Sequence, residues 1–274
     1  MNRLDGTVSV VTGGGRGIGR QIALTQAEEG AAVAVLARSA AEIEETAAQI
    51  TASGGRALAV PVDLVQLGAV EEAMARIEAE LGPIQTLVNN HGAFRAFGPI
   101  WEVDPEVWWQ DVEINLRGTF HACRAALPAM RARGAGRVVN MVGGGTGNSF
   151  PAGSGYASSK AAIMRFTECL NDTLTPEGLR AFAVDPGLVR TAMTELQLDT
   201  PEGQAHLPGI REMFDSGEDV PPTLAAAVIA DIAAGRFDPL HGRLLRGADD
   251  RDAVEAEMTE IAEDDRRALR FSGL

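Results

Sequence analysis

Apolar residues fall along this chain in two alternating rhythms. Short, nearly unbroken apolar runs recur at residues 8–12, 31–37, 57–62, 85–89, 137–142, 181–184 and 243–246. Each reads as a strand buried on both faces. Between them lie longer segments with apolar positions at helical period, at residues 20–29, 41–52, 69–81, 105–133, 156–174 and 223–234. Strands alternating with helices predict an α/β fold, a doubly wound parallel sheet of about seven strands with helices on both faces. A length of 274 residues with 45% hydrophobic content suits one such domain, spanning residues 1–248.

Two stretches depart from these rhythms. Residues 188–222 contain Pro201, Gly203, Pro208, Gly209, Gly217, Pro221 and Pro222. An irregular insertion beyond a strand's carboxyl end is either a substrate lid or an ordinary mobile loop. Residues 249–274 form an acidic tail, with nine acids and three arginines between Asp249 and Arg267. Val254, Met258 and Ile261 share one helical stripe there. That pattern predicts an amphipathic helix docked on its own core or on a neighbouring subunit, its charges a solvated face.

Charge narrows the function classes. A net charge of −14 and a pI near 4.7 argue against nucleic acid or an anionic membrane as partner. No apolar run reaches about 18 residues and no leader pattern opens the chain, so a soluble cytoplasmic protein is expected. The two cysteines, Cys123 and Cys169, form no ligand-like cluster, and no metal site is expected.

The first strand runs into Gly13-Gly14-Gly15-Arg16-Gly17-Ile18-Gly19 and then a helix. Strand, glycine loop and helix place backbone N–H groups against a phosphate, as in a Rossmann-type nucleotide site. The second strand ends in Arg38 rather than an acid. A carboxylate there would hold a ribose 2′-hydroxyl, whereas a guanidinium suits a 2′-phosphate. Arg38 with Arg16 therefore points to NADP(H) over NAD(H), unless both are plain surface arginines.

The chain has one tyrosine and one lysine, Tyr156 and Lys160, four residues apart in a predicted helix. That spacing puts phenol and ammonium on one face. A nearby cation favours the phenolate and lowers a phenol pKa from about 10. A phenol so tuned can exchange a proton with a carbonyl or alcohol oxygen.

In this order, these motifs resemble the short-chain dehydrogenase/reductase family over residues 5–246. Thr12, Gly13, Gly17 and Gly19 match TGxxxGxG, and Asn89-Asn90-His91-Gly92 matches the NNAG loop. Asp63 matches the acid after the third strand, and Asn115 the helical asparagine of the proton relay. Tyr156 and Lys160 match YxxxK, and Pro186, Gly187 and Thr191 match the segment that holds the carboxamide. The resemblance implies interconversion of a carbonyl and an alcohol of a small molecule, with Tyr156 as general acid/base. It implies Lys160 on the nicotinamide ribose and Asn115 positioning a water. It implies cofactor contacts at Gly13, Gly15, Arg16, Gly17, Ile18 and Gly19. Further contacts are implied at Arg38, Asp63, Leu64, Asn90, Gly92, Tyr156, Lys160, Pro186, Gly187, Val189 and Thr191. A homodimer or homotetramer through the helices of Asn115 and Tyr156 is also implied.

Two positions depart from the family. Thirteen residues before Tyr156, where the family places a catalytic serine, stands Gly143. Losing a hydrogen bond aimed at developing charge costs about 3–4 kcal/mol. Either Thr146 or Ser154 supplies the donor, or these and Ser149 are turn residues. Gly143 also leaves open a non-redox isomerase or lyase, or a non-catalytic NADP(H)-binding protein. His91 stands where alanine is usual, either reaching the cofactor or substrate or packed and satisfied. Trp101, Trp108 and Trp109 fit a lid, the core or an interface equally.

Overall fold

A computed structural model describes residues 2–270. It begins with β1 (Val8–Thr12), α1 (Gly17–Glu28), β2 (Ala32–Ala37), α2 (Ala40–Ala52), β3 (Ala57–Pro61), α3 (Leu67–Glu80) and β4 (Thr86–Asn89). The second half carries α4 (Pro105–Val112), α5 (Gly118–Arg133), β5 (Gly136–Met141), α6 (Ser154–Leu174) and β6 (Leu179–Asp185). The order of strands is β3-β2-β1-β4-β5-β6-β7, with β7 at Leu244–Arg246, and every neighbouring pair is parallel. The expected seven-stranded, doubly wound sheet is therefore present.

Alternation along the strands builds two cores. Val11, Val33, Val35, Val139 and Val184 face one side, where they meet Ile22 of α1 and Ile43 of α2. Val10, Ala34, Leu36, Leu87 and Val138 face the other, against Ile77 of α3 and Met130 of α5. Burial on both faces is why these runs are apolar throughout and show no polar alternation. Strand order reverses between β1 and β4, and a crevice opens at the strands' carboxyl ends there.

Three expectations change in detail. The single helix expected over 105–133 is interrupted by a π-turn, Glu113–Arg117, with Asn115 in its middle. The irregular insertion is mostly helical, as α7 (Ala192–Asp199), α8 (Pro201–His206) and α9 (Pro208–Asp215). Pro201 and Pro208 sit in the first turns of α8 and α9, where a missing N–H is no loss. The tail is two short helices rather than one. After α10 (Pro222–Ala233) come α11 (Arg251–Ala256) and α12 (Met258–Glu263). Val254 and Ile261 are buried in the same core as α1 and α10, with Met258 packed on it. The part of the tail at residues 271–274 lies outside the described residues. Among the described residues, no helix is long and apolar enough to cross a membrane.

Candidate active site

The crevice at the switch point is a cleft of about 740 Å³. Gly13, Gly15, Arg16, Gly17, Ile18 and Gly19 line one wall. Arg38, Asp63, Leu64, Asn90, Gly92 and Thr191 complete its predicted lining. Positive φ at Gly13 (63°) and Gly17 (54°) bends the loop in a way that side chains resist. No side chain caps the start of α1 and no acid stands in its first turn, so its free N–H groups remain for an anion. Arg38 is exposed at the cleft edge. Arg16 lies 3.5 Å from Glu42. These groups fit the diphosphate and 2′-phosphate of a dinucleotide.

Tyr156 and Lys160 lie one turn apart on α6, with Lys160 Nζ 5.5 Å from the centroid of the phenol ring. The Lys160 ammonium is buried and donates to the Met141 carbonyl at 3.0 Å. A Cβ on Gly92 would stand 3.7 Å from that nitrogen, so the amine lies just behind the cleft wall at Gly92. Burial pulls the Lys160 pKa down to about 8, partly offset by the negative charge of Asp185. Burial pushes the Tyr156 phenol up, with Asp185 adding to the rise. This corrects the expected lowering by Lys160: burial and the Asp185 charge set the direction, and the phenol holds its proton.

Asn115 is buried, and its side chain is committed. It accepts from the Ala93 amide at 2.7 Å and donates to the Ala93 carbonyl at 3.0 Å and Ser159 Oγ at 2.9 Å. It thus clamps the loop after β4 to α6. Pro186, Gly187, Val189, Tyr156 and Lys160 are not in the lining of the cleft. Val189 is buried, and its carbonyl accepts from Thr194 Oγ1.

The serine position is filled in an unexpected way. A Cβ on Gly143 would stand 2.7 Å from the Tyr156 hydroxyl oxygen. The phenol occupies the corner that a larger residue would claim. Thr146 does not replace the missing donor. Its hydroxyl donates to the Gly143 carbonyl at 2.6 Å and accepts from the Gly143 amide at 3.2 Å. Gly145, at φ 82°, turns the loop back so that Thr146 closes on it. Ser154 Oγ accepts from Trp108 Nε1 at 3.0 Å, and Ser149 is exposed.

His91 is packed and satisfied. Its Nε2 faces the Ile114 carbonyl at 3.1 Å, which requires a proton on Nε2. Nδ1 then accepts from Thr12 Oγ1 at 2.8 Å. A Cβ on Gly118 would stand 2.4 Å from Nε2, so that glycine makes room for the ring. Burial, with Lys160's charge adding to it, pushes the His91 pKa down to about 3. The ring bridges β1 to the π-turn that carries Asn115. Substitution His91→Ala removes the ring's bonds to the Ile114 carbonyl and to Thr12 Oγ1 and should cost about 1–3 kcal/mol in chemical denaturation. The folded ring stays neutral while an unfolded imidazole protonates below its usual 6.5. Wild-type stability should therefore fall as pH drops below that value, and less so in His91→Ala. Equal pH slopes in both proteins would dismiss the bridge.

Sequence reasoning missed Phe94 and Asp185. Phe94 lines the cleft and stacks on Tyr156, centroids 4.7 Å apart and planes at 22°. Its only signal was its place two residues after Gly92. Asp185 was visible as the acid before Pro186-Gly187 at the end of β6.

With this geometry in hand, comparisons place the chain among known proteins. It matches the short chain dehydrogenase family over residues 7–202. It is 33% identical over 229 residues to a 2,3-dihydro-2,3-dihydroxybenzoate dehydrogenase of Bacillus subtilis, covering 83% of this chain and 87% of that one. Its structure resembles a gluconate 5-dehydrogenase from Burkholderia cenocepacia in complex with NADP and tartrate. There the TM-score is 0.81 at 26% identity, over 94% of this chain and 97% of the other. A metagenomic short-chain oxidoreductase in complex with NADP gives a TM-score of 0.70 at 28% identity, over 85% and 92%.

Proposed function

This chain belongs to the short chain dehydrogenase family, and from that premise we propose that it is an NADP(H)-dependent oxidoreductase interconverting a carbonyl and an alcohol. The observation that carries the reading is the sole tyrosine and sole lysine, one turn apart, with the lysine nitrogen 3.7 Å from where a Cβ on the cleft residue Gly92 would stand. A nicotinamide dinucleotide bound there supplies hydride to a carbonyl carbon, or takes it from an alcohol.

The chain's own residues do the rest. The free N–H groups at the start of α1 hold the diphosphate, and Gly13, Gly17 and Gly19 let it approach. Arg38 and Arg16 hold the 2′-phosphate; two structural neighbours with NADP bound support that choice. Asp63 and Leu64 border the adenine, and Thr191 with the Pro186–Val189 segment orients the carboxamide end. Lys160 donates to the ribose beside Gly92. Tyr156 gives its proton to the substrate oxygen during reduction and takes one during oxidation. Burial keeps that proton on the phenol until the oxygen calls for it. The helices α7 to α9 act as the lid. Phe120, 46% exposed on α5 and edge-on to Phe166 of α6, supports assembly with a second copy.

The test is turnover of NADPH against NADH over a panel of ketones and aldehydes, in wild type and Arg38→Ala. Loss of a charge-assisted contact should raise the KM for NADPH about 10- to 100-fold. The KM for NADH should move by less than about threefold, since Arg38 has no phosphate to meet there. Equal changes for both would reject the 2′-phosphate assignment.

A further inference from the structure

Beside Tyr156 the protein has an apolar wall that the catalytic assignment does not use. Phe94, Phe97 and Leu207 are buried together, with Phe150, Met193 and Ile210 packed around them and Tyr156 at the edge. Phe94 is its centre, 3% exposed. It meets Phe97 edge-on at 4.8 Å and Phe150 edge-on at 5.5 Å, and lies flat on Tyr156. A Cβ on Gly153 would stand 2.6 Å from Phe94 Cζ, so the ring is held at its far edge. Met193, from the lid helix α7, faces the same cleft as Phe94.

Several polar groups nearby are already engaged. Thr146 closes on Gly143, Ser154 accepts from Trp108, and Asn115 clamps Ala93 and Ser159. Ser159 Oγ donates to the Tyr156 carbonyl. Arg95, at the cleft edge, is tied to the buried Asp111 at 3.0 Å. A substrate carrying several hydroxyls would leave water and meet Thr146 and Asn115 already committed to the protein, which repays it poorly. An apolar body gains from covering what this wall leaves open to the cleft, where Phe94 and the half-buried Met193 border it.

We propose that the substrate is a carbonyl compound bearing an apolar ring, or the matching secondary alcohol, and that Phe94 and Met193 set this preference. The inference rests on Tyr156 as the proton donor proposed above. It sets this chain apart from a structural neighbour whose name specifies gluconate, a polyhydroxylated acid.

The experiment compares kcat/KM for acetophenone and hydroxyacetone with NADPH, in wild type, Phe94→Leu, Phe94→Ala and Met193→Asn. Wild type should favour acetophenone. That ratio should fall about 10-fold or more in Phe94→Ala and Met193→Asn, and by an intermediate factor in Phe94→Leu. If Phe94→Ala fails to fold, Phe94→Leu and Met193→Asn carry the test. A wild-type preference for hydroxyacetone, or a ratio unmoved in all soluble variants, overturns the inference while leaving the oxidoreductase reading intact. Absence of NADPH oxidation with any carbonyl overturns both.

Discussion

Replacing Tyr156 by Phe should lower kcat for carbonyl reduction by about 10²- to 10⁴-fold, the range one positioned general acid contributes. The ring would stay, because its stacking on Phe94 does not involve the hydroxyl. NADPH affinity should change little, since the cofactor contacts proposed above lie at α1, Arg38 and Lys160, and a titration of NADPH fluorescence separates the two effects. The loss should exceed that in a family member with a serine beside its tyrosine. Here Gly143 brings no hydroxyl, and Thr146 is turned into its own loop, so neither supplies a second donor. Retention of more than a tenth of the wild-type rate would remove Tyr156 from the mechanism, and with it the oxidoreductase assignment.

The second large effect is expected at Gly19. An Ala there would put its Cβ 2.1 Å from the Gly13 carbonyl oxygen and 2.4 Å from Asn90 Nδ2. The first is backbone and cannot swing aside. The second is already fixed, donating to the carbonyls of Thr12 and Gly13 at 3.1 and 3.2 Å. The start of α1 must therefore move away from the loop, which takes the free N–H groups off the diphosphate. Overpacking of this kind costs about 1–3 kcal/mol or more, and the Kd for NADPH should rise at least about 100-fold. Gly14 is the useful contrast. Its added Cβ would meet the Val35 side chain at 2.6 Å and then the Val11 carbonyl at 3.1 Å, both in strands. Gly14→Ala should lower Tm yet keep far more of the NADPH affinity. Equal affinity losses at both sites would mean that general misfolding, and not the cradle, explains the result.

The elements that were legible in the sequence share a property: their signal is local. A buried strand needs five apolar neighbours, and a phosphate loop needs glycines at fixed offsets, so β1, α1 and the Gly13–Gly19 lining could be read directly. Tyr156 and Lys160 were legible for the same reason, with their rarity added. What stayed hidden depends on parts of the chain far apart in sequence. Phe94 is one of nine phenylalanines, and only contact with Gly153 and Tyr156 gives it a role. Thr146 was in the right loop, but the left-handed turn at Gly145 aimed its hydroxyl inward. The direction of the Tyr156 shift was misjudged because spacing reveals a neighbouring cation but not the depth of burial. Pro201 and Pro208 read as breaks in the sequence pattern, yet in the fold they begin helices. The π-turn around Asn115 is one extra residue in a long helical pattern, too small a slip to register in the spacing of apolar side chains.

Lys160 gives the molecule an experimental handle. The chain's single ε-amine is 4% exposed, beneath the bare backbone of Gly92. An acylating reagent therefore finds no surface lysine to modify, and any side-chain amine adduct must mark a moment when the crevice floor was open. The labelling rate becomes a clock for breathing at that one point, read by mass spectrometry against a background that other proteins of this size rarely offer.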